Sequence, residues 1–377
     1  SSSAASDVYK RQMLLLIVAA AGHAQEAHTP IFTYQDAEHP DLSTTGMVAS
    51  QSRLSSDVGA AILAAGGNAI DAAIATGFSM VVTLPRAGNL GGGGFMLIHD
   101  ASTNQNVAID YRERAPFGAS VDMFLDSDGN VDNQLSRFSH LSAGVPGTVR
   151  GFELAHRKFG SLPWKALLEP AIRQARDGIV VGFDLAQVLA SRRDRLCRDA
   201  AACKYYFKDG GVPYSAGETL VQSDLADTLQ AIADRGADAF YTGTIADKIV
   251  AEMERGGGLV DARSLAAYQP ELRDALVGNY RGFEIVTMPP PSSGGVHLLQ
   301  MLNIMEHFPV NEWGFGGADN LHLLAEVARL AYADRSRHLG DPDFFEVPVS
   351  WLTSKSYGKK LASGINMEKA RLSSDVA

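Results

Sequence analysis

Cysteine is scarce: the 377 residues contain two, Cys197 and Cys203, six apart in CRDAAAC. That spacing is neither a redox nor a zinc signature. A local disulfide and a pair of free thiols both fit it. The ten histidines include no H-E-x-x-H, no H-x-H and no Cys/His cluster, and His297 and His307 stand ten apart, so the usual metal signatures are missing. No G-x-S-x-G elbow is present, which removes the commonest serine-hydrolase motif. Basic excess is missing too. A formal net charge of −10 offers no footing for nucleic acid or an anionic membrane face. No internal repeat, heptad pattern or long linker interrupts the chain.

What is present is a folded-protein composition, 46% hydrophobic and 20% charged, long enough for one large domain or two ordinary ones. Residues 1–12 (SSSAASDVYKRQ) read as a non-native leader. Residues 13–24 carry an apolar run, Leu14 to Ala21, and small residues resembling a cleavage site, which reads as a signal peptide too short to span a bilayer. Export, periplasmic or secreted, is the expectation, with the folded domain over 30–377.

Ser55 and Ser56 are expected to cap a helix carrying Val58, Ala61, Ile62 and Ala65, ended by Gly66-Gly67. A second helix carries Ile70, Ala73, Ile74, Phe78 and Val81 on one stripe. Two strands follow, Phe95–His99 and Val107–Arg112, around the turn ASTNQN. Helices are expected at 149–158, 162–176, 220–235, 245–255, 296–307 and 321–333, with a strand at 283–288. The pattern is α/β or α+β, built as one intertwined unit.

Between the second helix and the first strand lie four consecutive glycines, Gly91 to Gly94. No Lys or hydroxyl follows them and a strand, not a helix, comes next, so they are no phosphate loop. Ser292 and Ser293 in PPPSSGG are candidate nucleophiles, but Ser293 as a helix cap is the stronger reading. Asp341-Pro342-Asp343 reads as a turn. Arg112, at a strand end beside the glycines, has the fork that grips a carboxylate with two parallel bonds. An ion pair with Asp110, Glu113 or Asp343 is the plainer alternative, and on the residues alone the preferred one.

Taken together, GMVAS, SSDVGAAILAAGGNAIDAAIA, LPRAGNLGGGGFML, AIDYRERAP, GVPGTVRGF, MPPPSSGG and AYADRSRHLGDPDF resemble, in content and order, the large chain of bacterial γ-glutamyltranspeptidases. The resemblance implies an α+β N-terminal nucleophile hydrolase fold, a four-layer αββα sandwich. It implies a precursor that cleaves itself, a small-subunit partner whose N-terminal threonine is the nucleophile, and no cofactor. Its substrates would be glutathione and other γ-glutamyl compounds, with amino acids or peptides as acceptors. No catalytic residue is expected in this chain. Arg112 matches the family's arginine for the substrate α-carboxylate, with Asp110, Tyr111 and Glu113 supporting it. The glycines then become close-packing backbone around the Arg112 strand, where another segment, such as a new N-terminus, approaches. A cephalosporin-acylase-type amidohydrolase on the same scaffold and a non-catalytic chain are the competing readings.

Overall fold

Ser52, rather than Ser55 or Ser56, opens the first helix in the computed structural model, which describes residues 42–376. The leader and signal segments of residues 1–24 lie outside the described residues. In helix α1 (Arg53–Ala64) Ser55 is wholly buried, its hydroxyl 2.9 Å from Ser79 Oγ and 2.7 Å from Thr83 Oγ1 on helix α2 (Ala69–Thr83). The two helices pack closely through small side chains, so a serine on the shared face is used across the interface and is lost as a cap. The described residues fall into two compact units, Leu42–Asp274 and the stretch from Ala275 onward.

A reciprocal cap starts α2. The Asn68 side chain accepts from the Ile70 and Asp71 amides, and the Asp71 carboxylate accepts from the Asn68 amide at 3.0 Å. Asp71 is fully buried and also takes the Ser161 hydroxyl (2.5 Å) and the Ser161 and Leu162 amides, which fixes the loop between Phe159 and Trp164. Burial pushes its carboxyl up, but the bonds from Ser161, Asn68 and Leu162 outweigh that and hold it below the ordinary range. A depressed folded pKa means stability that is present above the unfolded value, near 4, and lost as pH falls through the folded one. Asp71→Asn is therefore expected to cost about 2–3 kcal/mol at neutral pH and to shrink the acid-side slope, checked by urea unfolding from pH 7 to 3.

Strands β1 (Phe95–Asp100) and β2 (Gln105–Asp110) pair antiparallel, Phe95 opposite Asp110. Helices α3 (Thr148–Phe159), α4 (Trp164–Asp177) and α5 (Ser223–Arg235) complete the core of this unit. An aromatic chain runs through it: Tyr111 meets Phe152 edge-on at 5.8 Å, Phe152 meets Phe78 at 5.1 Å and Phe78 meets Trp164 at 5.5 Å. The third strand of the sheet, β3 (Glu271–Asp274), pairs with β2 and was not expected from the sequence.

Helices Phe183–Leu196 and Ala200–Tyr206 are joined by the Cys197–Cys203 disulfide, so of the two readings of the cysteines the paired one holds. For so short a loop the Cys197→Ser/Cys203→Ser variant is expected to lose about 2 kcal/mol, with a matching loss for the native protein under reductant. Denaturant midpoints with and without dithiothreitol measure it.

In the second unit, strands β4 (Leu276–Tyr280) and β5 (Phe283–Thr287) form a hairpin that turns at Arg281-Gly282, both with positive φ. Helices α6 (Ser293–Met305), α7 (Ala318–His338) and α8 (Lys355–Ala362) pack around Ile304, Leu323, Val327 and Leu330. Buried Asp334 of α7 accepts from Gln300 of α6 (2.5 Å) and Tyr357 of α8 (2.9 Å), joining all three.

Candidate functional site

Strand β2 ends at Asp110, yet the ladder runs one residue further, since Tyr111 exchanges backbone hydrogen bonds with Gly94 at 3.1 and 3.2 Å. Three residues on, Arg114 and Val145 exchange another pair at 3.2 and 2.8 Å. Arg112 lies between, on backbone held from two sides. Its amide donates to Asp110 Oδ1 (3.1 Å) and its carbonyl accepts from the Tyr268 hydroxyl (2.8 Å). Both peptide groups flanking its Cα are thus fixed by side chains.

The Arg112 guanidinium itself is exposed, and among the described residues it has no hydrogen-bonded or ionic partner. Asp110, the first alternative partner, is occupied elsewhere. Buried at 7% exposure, it spends its second oxygen on Arg273 Nε of β3 at 2.9 Å. Arg273 stands opposite Ala108 and so lies diagonally across the ladder from Asp110. Register thus places the paired arginine beside Asp110 and leaves Arg112 its charge.

Tyr111 is buried among Gly94, Gly151 and Phe152, and its hydroxyl donates to the Phe95 carbonyl at 3.3 Å. That burial pushes its phenol up to about 12, so it stays neutral at any working pH. Glu113 is exposed, with its Cβ beneath Gly144. Two residues the sequence reading missed do much of the holding. Tyr268 stacks on Tyr241 (5.8 Å, 10°), whose hydroxyl donates to the Pro146 carbonyl at 2.9 Å, so the stacked pair pins Arg112 and the neighbouring 146–147 turn together. Burial raises both phenols, which keeps them as neutral donors. Nothing in SLAAYQP marks Tyr268 as a partner of residue 112; only the folded path brings them together.

The glycines surround this segment. A Cβ on Gly93 would come within 2.5 Å of the Tyr111 carbonyl oxygen and 2.7 Å of the Glu113 amide. On Gly147 it would meet the same carbonyl oxygen at 2.0 Å and the Tyr268 hydroxyl at 2.2 Å, and on Gly151 the Tyr111 ring at 2.2 Å. The close-packing role expected for the run holds for Gly93 and Gly94. The segment that approaches is Gly147-Thr148, whose amides both donate to the Gly92 carbonyl, at 2.7 and 3.1 Å. Gly91 has open space around it.

A groove of about 930 Å³ is walled in part by Met47, Ala72, Thr76, Met80, Phe95 and Tyr111; Arg112 is not in its wall. In the second unit Ser292 caps α6, accepting from the Gly294 amide at 3.2 Å, while Ser293 Oγ accepts from Arg335 Nε at 3.3 Å. The capping expected of Ser293 falls one residue earlier. Asp341 receives the Asp343 amide at 3.0 Å, the turn that was expected.

Comparison with known proteins agrees with this reading of the motifs. A glutathione hydrolase proenzyme of Escherichia coli (strain K12) is 48% identical over 342 residues, covering 91% of this chain and 59% of that protein. An acylase ACY 1 proenzyme of Pseudomonas sp. (strain SE83) is 40% identical over 338 residues, covering 88% of this chain and 60% of that protein. The chain thus spans about three fifths of the length of these curated relatives. The crystal structure of Helicobacter pylori γ-glutamyltranspeptidase superimposes with a TM-score of 0.87 at 43% identity, covering 90% of this chain and 97% of that chain. The fold is the α+β fold of the N-terminal nucleophile hydrolases. The family model described as gamma-glutamyltranspeptidase matches residues 55–376, and the chain belongs to that family.

Proposed function

We propose that this chain is the large, substrate-gripping part of an enzyme that hydrolyses γ-glutamyl compounds such as glutathione, or transfers their γ-glutamyl group to amino acids or peptides. The observation that carries the reading is the Arg112 guanidinium, exposed and uncommitted on a backbone whose two flanking peptide groups are fixed. A planar fork of that kind takes the α-carboxylate of a glutamyl substrate through two charge-assisted bonds. Gripping that end fixes where the γ-carbonyl sits, so that a nucleophile meets it in an attack-ready pose.

The nucleophile in this reading is the N-terminal threonine of a small chain released from the same precursor, as the proenzyme names of the relatives suggest. Its hydroxyl oxygen bonds to the γ-carbonyl carbon as the hydroxyl proton passes to the threonine's own amine. The carbon–nitrogen bond then breaks and the leaving amine takes that proton, giving an acyl ester. Water or an acceptor amine cleaves the ester and restores the threonine. No cofactor enters these steps. Asp110 and Tyr111 act by holding the Arg112 backbone, and Glu113 flanks it. Export to the periplasm or medium belongs to the same proposal and is supported by the Cys197–Cys203 disulfide.

The 40% identical acylase proenzyme keeps a second reading in play, an amidohydrolase for substrates with no α-amino acid end. The test is expression of the whole gene, followed by intact mass, N-terminal sequencing and assay. Two chains, the smaller beginning with threonine, and turnover of a γ-glutamyl anilide but not a glutaryl amide are expected. The reverse substrate preference would transfer the chain to the acylase reading. A single uncleaved, inactive chain would make it non-catalytic.

A further inference from the structure

Helix α7 carries a row of side chains that secures the segment after α8. Near its start His322 Nε2 meets the Asn366 carbonyl at 2.9 Å. One turn on, Glu326 accepts from the Arg371 amide (3.0 Å) and Arg371 Nε (2.8 Å), and Arg329 donates to it as well. Near the helix end Arg337 donates to the Val376 carbonyl at 3.1 Å. Met367 and Val376 pack on the core of this unit. Residues 366–376 therefore follow α7 for roughly 20 Å, attached at both ends and in the middle.

The middle attachment is unusual. Glu326 is 1% exposed, and a buried carboxylate is a poor choice for stability alone, since apolar residues of similar size do as well or better. Arg329 partners it from within the same helix, and Arg371 is the partner that comes from the following segment. Arg371 answers with both its backbone and its side chain, so it fixes the direction of the chain as well as its location.

We propose that Glu326, through Arg371, is a positioning residue for self-cleavage of the precursor. This rests on the function proposed above. The Helicobacter pylori chain is covered to 97% and the Escherichia coli proenzyme to 59%, so the chain break in such relatives falls near the position of residue 376, and cleavage requires the bond to be broken to lie about 3–3.5 Å from its nucleophile. Anchoring the chain just upstream removes most of the conformers that miss that geometry. Substrate grip belongs to Arg112, whose backbone supports, Asp110 and Tyr268, both lie within Leu42–Asp274, so KM is expected to be independent of the anchor.

The experiment follows the uncleaved full-length precursor by gel and intact mass as the two chains appear, for wild type, Glu326→Gln, Arg371→Gln, Arg371→Lys and the core variant Leu323→Ala, with melting temperatures alongside. Glu326→Gln and Arg371→Gln are expected to lengthen the cleavage half-time at least tenfold. Arg371→Lys should recover part of the rate. Leu323→Ala should lower the melting temperature at least as much yet cleave near the wild-type rate, and every matured variant should keep the wild-type KM. Arg371 is partly exposed, so its variants remain informative even where Glu326→Gln folds poorly. Wild-type rates in both glutamine variants, or slowing no greater than that of Leu323→Ala, would overturn the assignment while leaving the function intact. A wild-type precursor that never cleaves would remove the proposed function and this inference together.

Discussion

Arg112→Ala in the assembled enzyme is expected to raise KM for γ-glutamyl substrates and to lower kcat/KM by about 10²–10³-fold, the size of two lost charge-assisted bonds. The main effect should fall on KM, because the α-carboxylate is held alike before and during attack on a carbonyl at the far end of the glutamyl group. Stability should change little, within about 0.5 kcal/mol, since the guanidinium is exposed and has no described partner to leave behind. Arg112→Lys keeps the charge and loses the fork, so it should recover only part of the lost affinity. Steady-state kinetics on a γ-glutamyl anilide, with melting curves of the same preparations, tests all three statements. Unchanged KM with reduced stability would return Arg112 to a structural role.

Arg273→Met provides the complementary case. It strips the buried Asp110 carboxylate of its ionic partner and is expected to destabilise the unit by about 3 kcal/mol. The two arginines sit near one another in the fold and the same carboxylate decides their different fates.

Much of this arrangement could be read from the sequence, and the rest depended on pairings that leave no local trace. The helices α1 and α2 were legible because apolar residues recur at helical spacing for several turns. The β1–β2 hairpin was legible through its short apolar strands and polar turn. Strand β3 was not, because Glu271-Leu272-Arg273-Asp274 is mostly charged and carries no apolar alternation. Its loss from the reading also concealed the Asp110–Arg273 pair, which only register creates. Tyr268 was missed for a related reason: its partner is a backbone carbonyl 156 residues earlier. Ser55 misled because a hydroxyl suited to capping also suits a close helix interface, and the interface won. Arg112 itself was visible by position and residue type. Its freedom was not, since that depends on where three other charges go.

Alanine at the glycines around Arg112 should separate them by an effect as large as any in this unit. Gly147→Ala places a methyl carbon 2.0 Å from the Tyr111 carbonyl oxygen and 2.2 Å from the Tyr268 hydroxyl, and neither can give way cheaply. The carbonyl is fixed in the ladder to Gly94 and the hydroxyl carries the bond to Arg112. Backbone has to move, at a cost of about 3 kcal/mol or more, and the part that moves is the Arg112 clamp. Gly93→Ala, with main-chain atoms at 2.5 and 2.7 Å, should behave alike. Gly91→Ala meets nothing within 4 Å and its φ is not positive, so it should fall within about 0.5 kcal/mol of wild type, on either side. Urea unfolding ranks the three, and KM of the assembled variants reports on the clamp. Equal tolerance of alanine at all three positions would mean that the backbone around Arg112 is looser than these contacts require, and with it the case for a pre-set grip on the substrate would fail.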